Sequence, residues 1–227
     1  EKTIDVAIRA LTYVSDNTNI EEVPTIKKGN DSSHSIGLGA MNLHGYLVRE
    51  DIIYTSKEGR EFADVFFAMM RYYAIKTSMN IAIAKGPESE LFKKYCTKDF
   101  LPTSEKVSKL FEGINIPTKE DWTELLQQVK NNGIYNAYLT AIAPTQSISY
   151  VQNSTSSVMP ITEQIEVRTY GDSTTIYPMP FLTNENMLYY QSAYRIDMLD
   201  LIDMVAIIQG HIDQGISTTL FVTDDKT

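Results

Sequence analysis

Between Phe62 and Ala84 the sequence is almost continuously apolar, and its few interruptions decide what it can be. Asp64, Arg71, Lys76 and Asn80 break a run that would otherwise approach the ~18–20 residues needed to cross a bilayer, so the stretch reads as the core helix of a soluble protein. The helical pattern extends from Lys57, with Ser56 or Thr55 suited to cap it, to Lys85, where Gly86-Pro87 stops it. A helix this long and this apolar needs neighbours to cover it. The 227 residues, 43% hydrophobic and 22% charged, supply them in one large domain or two small ones, and exclude wholesale disorder.

The rest of the first half is also helical. Ile4, Ala7, Ile8, Leu11 and Val14 predict an amphipathic helix ending near Asp16-Asn17. Asn19 to Asp31 reads as a loop, and Ser32 or Ser33 as the cap of a helix through about Glu50 that buries Ile36, Met41, Leu43 and Leu47. Shorter helices follow at Leu91–Tyr95, Ser104–Glu112 and Thr118–Asn132, with Thr118 and Asp121 marking a capped start. After Gly133 the texture changes. Tyr138–Ala143 and Ser217–Val222 read as buried strands, and Ile165–Tyr170 with Thr174–Tyr177 as a hairpin turning at Gly171-Asp172. Asn184–Tyr194 and Ile196–Ile212 read as helices. The fold class is α/β with a helix-rich first half, helical over 1–132 and mixed over 133–227.

Charge and cysteine count narrow the function. A net charge of −9 and a pI near 4.9 argue against a nucleic-acid-binding surface, which needs a basic stripe. They leave phosphate ligands open, because backbone N–H groups hold anions without Lys or Arg. The single Cys96 makes neither an internal disulfide nor a CxxC site, so the chain reads as intracellular; no signal-peptide pattern opens it. Glu1 begins inside a helical pattern and Asp224-Asp225-Lys226-Thr227 directly follows a strand-like run, so both ends read as cut.

Few residues present the spacing that chemistry demands. His34, His44 and His211 lack HxH or HExxH spacing and read as structural, with no metal site expected. Gly37-Leu38-Gly39 lacks the third glycine and preceding strand of a dinucleotide fingerprint, and close helix packing accounts for it. Asp197, Asp200 and Asp203 read as a solvated face, and Tyr72-Tyr73 and Tyr189-Tyr190 as packing pairs with polar tips. The segment after Ala143 is different: a strand reaching Pro144 feeds a hydroxyl-rich turn running to Ser157. Two readings stand at this point, a plain polar loop and an anion cradle of backbone N–H groups and hydroxyls.

Several runs, in order, carry a family resemblance: Ser33 through Tyr46, Trp122-Thr-Glu-Leu125, Gly133-Ile-Tyr-Asn136, Ala143-Pro-Thr-Gln-Ser-Ile-Ser149, Asn153-Ser-Thr-Ser-Ser-Val-Met-Pro160 and His211-Ile-Asp-Gln-Gly215. Together they resemble the large (alpha) subunit of ribonucleotide reductase, in particular the class Ib bacterial form that depends on manganese or iron. The resemblance covers nearly the whole chain. It implies the C-terminal part of a ten-stranded α/β barrel, and thiyl-radical reduction of ribonucleoside diphosphates to their 2′-deoxy forms. It also implies a cytoplasmic place in deoxyribonucleotide synthesis for DNA replication.

Carried over residue by residue, the resemblance implies that Pro144, Thr145, Gln146, Ser147 and Ile148 bind the substrate diphosphate, largely through main-chain N–H groups. It implies no catalytic residue in this chain. The radical cysteine, in an Asn-x-Cys-x-Glu setting, has no counterpart, since Cys96 matches neither that motif nor its context. The redox cysteine pair, the relay tyrosines, the C-terminal cysteines and the allosteric ATP and nucleotide-effector site belong to family segments outside this one. No cofactor is expected on this chain; the dimetal–tyrosyl radical centre belongs to a partner small (beta) subunit. The other implied partners are the rest of the large subunit and a thioredoxin- or glutaredoxin-like reductant, with no nucleic acid and no membrane. A free-standing phosphate or nucleotide binder, or a split-gene piece inactive by itself, is the alternative.

Overall fold

The polar residues that interrupt the long apolar helix each find a use. In the computed structural model, which describes residues 1–89 and 97–223, helices α1 (Lys2–Asn17), α2 (Pro24–Ser33), α3 (Leu43–Arg49) and α4 (Lys57–Lys85) fill the first part of the chain. On α4, Arg71 is buried and pairs with Asp213 at 2.7 Å, Lys76 reaches Glu1 at 2.8 Å, Asp64 meets His211 at 2.6 Å, and Asn80 faces outward. Gly86, at φ 109, ends the helix in a conformation that L side chains avoid. Helices α5 (Glu105–Leu110), α6 (Lys119–Asn132), α7 (Gln146–Val151) and α8 (Met198–His211) follow, with strands β1 (Ile165–Tyr170) and β2 (Ser173–Pro178) before α8. Among the described residues no helix is long and apolar enough to cross a membrane.

The chain divides into two compact units that alternate along the sequence. The first comprises 1–39, 64–141 and 211–215. Its core gathers Ile8 of α1, Ala74, Ile75 and Met79 of α4, Trp122, Leu125 and Val129 of α6, and Ile36, Ile134 and Leu139 from extended segments. Burial of side chains of this size contributes about 1.5–3 kcal/mol apiece. A capping box starts α6: the Thr118 hydroxyl accepts from the Asp121 amide at 3.2 Å, and the Asp121 carboxylate from the Thr118 amide at 2.8 Å. The second unit comprises 40–63, 142–210 and 216–227, with Val48, Ile161, Met179 and Tyr190 at its core. Its antiparallel β1–β2 hairpin pairs Val167 with Ile176 and turns at Gly171-Asp172, as the sequence predicts.

Several expectations need correction. Residues 24–33 form α2 rather than loop, because Pro24 occupies its first turn, where a fixed φ and a missing N–H cost nothing. Ser32 and Ser33 therefore end a helix instead of capping one; both hydroxyls donate back to the Gly29 carbonyl. The helix expected through Glu50 shortens to α3, since 34–42 run extended and Leu38 bridges Thr140 in parallel. There Gly37 serves a close strand approach, not helix packing: a Cβ would stand 3.1 Å from the Ala141 Cβ.

Asn184–Tyr194 holds only a 3-10 turn, Met187–Tyr189. Thr183 and Asn186 exchange side-chain bonds with each other's amides at 2.8 and 3.2 Å, a reciprocal cap that here opens only this short turn. The strands expected at Tyr138–Ala143 and Ser217–Val222 are extended chain; the isolated parallel bridges there are Leu38–Thr140 and Ile142–Ile216. Among the described residues the named sheet is the two-stranded hairpin. Cys96, the helix expected at Leu91–Tyr95 and the last four residues lie outside the described residues.

Candidate functional site

Within the second unit, the turn after Ala143 borders a cleft of ≈ 230 Å³. Pro144 and Gln146 line it, with Tyr150 of α7, the run Ser154–Ser157, Glu166 of β1, and Ser217, Thr219 and Phe221 from the extended tail. Of the five residues singled out from sequence, Thr145, Ser147 and Ile148 belong to the same turn without lining the cleft, and the Ile148 side chain is exposed.

The amides of this turn divide in two. Gln146 donates to the Pro144 carbonyl at 2.8 Å and Ile148 to the Thr145 carbonyl at 2.8 Å, so both are used internally. The amides of Thr145 and Ser147 have no acceptor among the described residues. The cradle expected over the whole run thus narrows to two N–H groups. With only six residues, α7 adds little macrodipole, and the donors themselves matter more.

Thr145 sets the shape of the turn. Its φ of 59 is left-handed, a costly conformation for a β-branched residue, and it persists because the side chain is tied down. The Thr145 hydroxyl accepts the Ser157 amide at 2.8 Å. Ser149 donates to the Gln146 carbonyl at 2.5 Å and meets the Ser156 hydroxyl at 2.8 Å, so the two hydroxyl-rich arms are bonded together. From the other side, Asn42 clasps Thr155: the Asn42 amide donates to the Thr155 carbonyl, and the Asn42 Oδ1 accepts the Thr155 amide, each at 2.9 Å.

Two further groups hold the walls. The buried imidazole of His44 accepts the Ile161 amide on Nδ1 at 3.1 Å, which puts its proton on Nε2. Burial pushes its pKa down to about 3, so it is neutral at pH 7. Tyr150 donates to Glu166 at 2.7 Å while Arg168 stacks on its ring and pairs with Glu166 at 3.1 Å. Burial, then the Glu166 carboxylate, push the phenol up to about 12 and keep it a donor. Among the described residues Glu166 is the one charged residue lining the cleft, and Arg168 balances it.

Sequence reasoning located this turn and its hydroxyls but not Asn42, His44 or the Tyr150–Glu166–Arg168 group. Asn42 was visible only as the end of the Gly37–Asn42 run. Each histidine is tied into the fold: His34 meets Asp16 at 2.9 Å and His211 meets Asp64. Asp200 pairs with Arg60 at 3.3 Å, while Tyr73 and Tyr190 direct their hydroxyls to the carbonyls of Asn115 and Pro180.

Helices together with extended segments joined by isolated parallel bridges define an α/β protein, and its second unit carries a hydroxyl-lined cleft. Comparison with known proteins makes the assignment particular: the family model "Ribonucleotide reductase, barrel domain" matches residues 1–227, and the chain belongs to that family. It is 50% identical, over its whole length, to the ribonucleoside-diphosphate reductase subunit alpha of Bacillus subtilis, 34% of which it covers. The subunit alpha of Mycoplasma pneumoniae is 38% identical over 99% of the chain, which covers 33% of it. For that of Helicobacter pylori the figures are 33%, 98% and 28%. The chain thus spans about a third of the length of these relatives.

Proposed function

We propose that this chain is the part of a class Ib-type ribonucleoside-diphosphate reductase large subunit that grips the substrate's pyrophosphate, through the turn Pro144–Ile148 and the hydroxyls of Ser154–Ser157. The observation that carries the reading is the pair of amides, Thr145 and Ser147, left without acceptors among the described residues in a turn whose Gln146 and Ile148 amides are bonded, beside a cleft that no described Lys or Arg lines. Backbone N–H donors tolerate side-chain change, which suits a loop that recognises phosphate and not base. The extended segments near Leu38, Thr140, Ile142 and Ile216, bridged in parallel, are staves of the family's ten-stranded barrel.

In the complete enzyme, ribonucleoside-diphosphate reduction draws its thiyl radical and reducing cysteines from polypeptide beyond this segment. The metal–tyrosyl radical centre resides on the small subunit, and a thioredoxin- or glutaredoxin-like protein supplies electrons. Support for that division of labour is the single cysteine of this chain, where the chemistry uses at least three. The cytoplasm is where such an enzyme works.

Calorimetric titration with ADP or CDP tests the grip. With base, ribose and radical-loop contacts missing, a dissociation constant of ~1 mM is expected, about 4 kcal/mol. Ser147→Pro removes one donor at a first-turn position that tolerates proline, and abolishes binding; Ser147→Ala leaves it nearly intact. The opposite ranking would mean that side chains hold the phosphate.

A further inference from the structure

Resting on the reading of this cleft as a diphosphate site, we propose that the hydroxyl of Ser157 is a substrate-contacting group that donates a hydrogen bond to a phosphoryl oxygen. Ser157 is only 1% exposed and lines the cleft, yet its Oγ has no hydrogen-bond partner. Ser15 and Thr223 also carry buried hydroxyls without partners among the described residues, but neither lines the cleft.

Among the described residues lining the cleft, this is the one buried hydroxyl left spare. The Ser157 amide is fixed by the Thr145 hydroxyl, Ser149 and Ser156 bond to each other, and Thr155 is clasped by Asn42. Its φ of 55 is left-handed, where glycine would be free of strain. A glycine there would also bury no unpaired hydroxyl, itself a destabilising feature. Serine at this position is thus disfavoured twice in the unliganded protein, by backbone and by desolvation. A phosphoryl oxygen reverses the second effect, because a neutral donor shielded from water makes a strong charge-assisted bond to an anion. Rotation about χ1 between staggered wells aims the oxygen without moving the backbone. Among the described residues the cleft is lined by Glu166 and by no Lys or Arg, so the donors they offer an anion are neutral.

The test titrates the 227-residue chain with ADP and, separately, with inorganic pyrophosphate, for wild type, Ser157→Ala and Ser157→Gly, and records the melting temperature of each. Both variants are expected to bind both ligands about tenfold more weakly, with melting temperatures equal to or above wild type. Wild-type affinity in either variant would overturn the proposal while leaving the diphosphate reading intact. So would weak binding in a destabilised Ser157→Ala accompanied by full binding in Ser157→Gly, since the hydroxyl would then be structural. Failure of the wild type to bind either ligand would instead overturn the diphosphate reading, and this proposal with it.

Discussion

Acidification should weaken the second unit through one residue, His44. Its imidazole is fully buried against the rings of Tyr54 and Tyr190, and its Nδ1 accepts the Ile161 amide. Protonation would place a charge where burial disfavours it, and this desolvation, opposed by a backbone contact to Tyr189, brings the pKa from 6.5 to about 3. A depressed folded-state pKa fixes the sign. The neutral ring's contribution is complete above pH 6.5 and is lost as pH falls from there toward 3, because the unfolded chain takes up the proton first. The loss amounts to about 2 kcal/mol at pH 5 and about 4 kcal/mol near pH 3.

Urea unfolding of wild type and His44→Gln at pH 7.5 and pH 5 isolates this effect, since other titrating groups cancel in the comparison. The glutamine carbonyl can accept the Ile161 amide but does not titrate. Wild type is expected to lose about 2 kcal/mol more than the variant between the two pH values. Equal losses would refute the argument that a desolvated neutral histidine braces this wall.

Two other perturbations probe the two units separately. In the first, Asp213 accepts from the amides of Leu139 and Thr140, the Thr140 hydroxyl and the buried Arg71, all at 2.7–2.9 Å. Asp213→Ala should therefore cost about 3–5 kcal/mol in urea unfolding, because it removes the acceptor these buried donors share; a cost below ~1 kcal/mol would show that they find other compensation. As for chemistry, the purified chain mixed with a small subunit and dithiol should form no deoxynucleotide, and turnover would contradict the placing of the reactive thiols elsewhere.

What was legible in the sequence was local. The limits of α4 followed from apolar periodicity and Gly86, the start of α6 from Thr118 and Asp121, and the hairpin from Gly171-Asp172, each a signal confined to neighbouring residues. Residues 34–42 misled because their pattern suits a helix while their bonds go to Tyr138 and Leu139. The polar stretch over 19–31 reads as a loop, but proline also begins helices, and Pro24 begins one here. The candidate turn was legible for its hydroxyls and its resemblance. Its supports were not: Asn42 and Thr155 are 113 residues apart, and His44 and Ile161 are 117 apart, so no local pattern announces either pairing.

On the proposed reading, two spare amides in the turn after Ala143 hold a nucleotide's phosphates. Amide-resolved NMR of the isotope-labelled chain during a titration with ADP tests it most directly. The Thr145 and Ser147 resonances should move downfield together, saturating near millimolar ligand, while Gln146 and Ile148, already bonded within the turn, move little. Shifts confined to other residues, or a Ser147 resonance indifferent to the ligand, would contradict it.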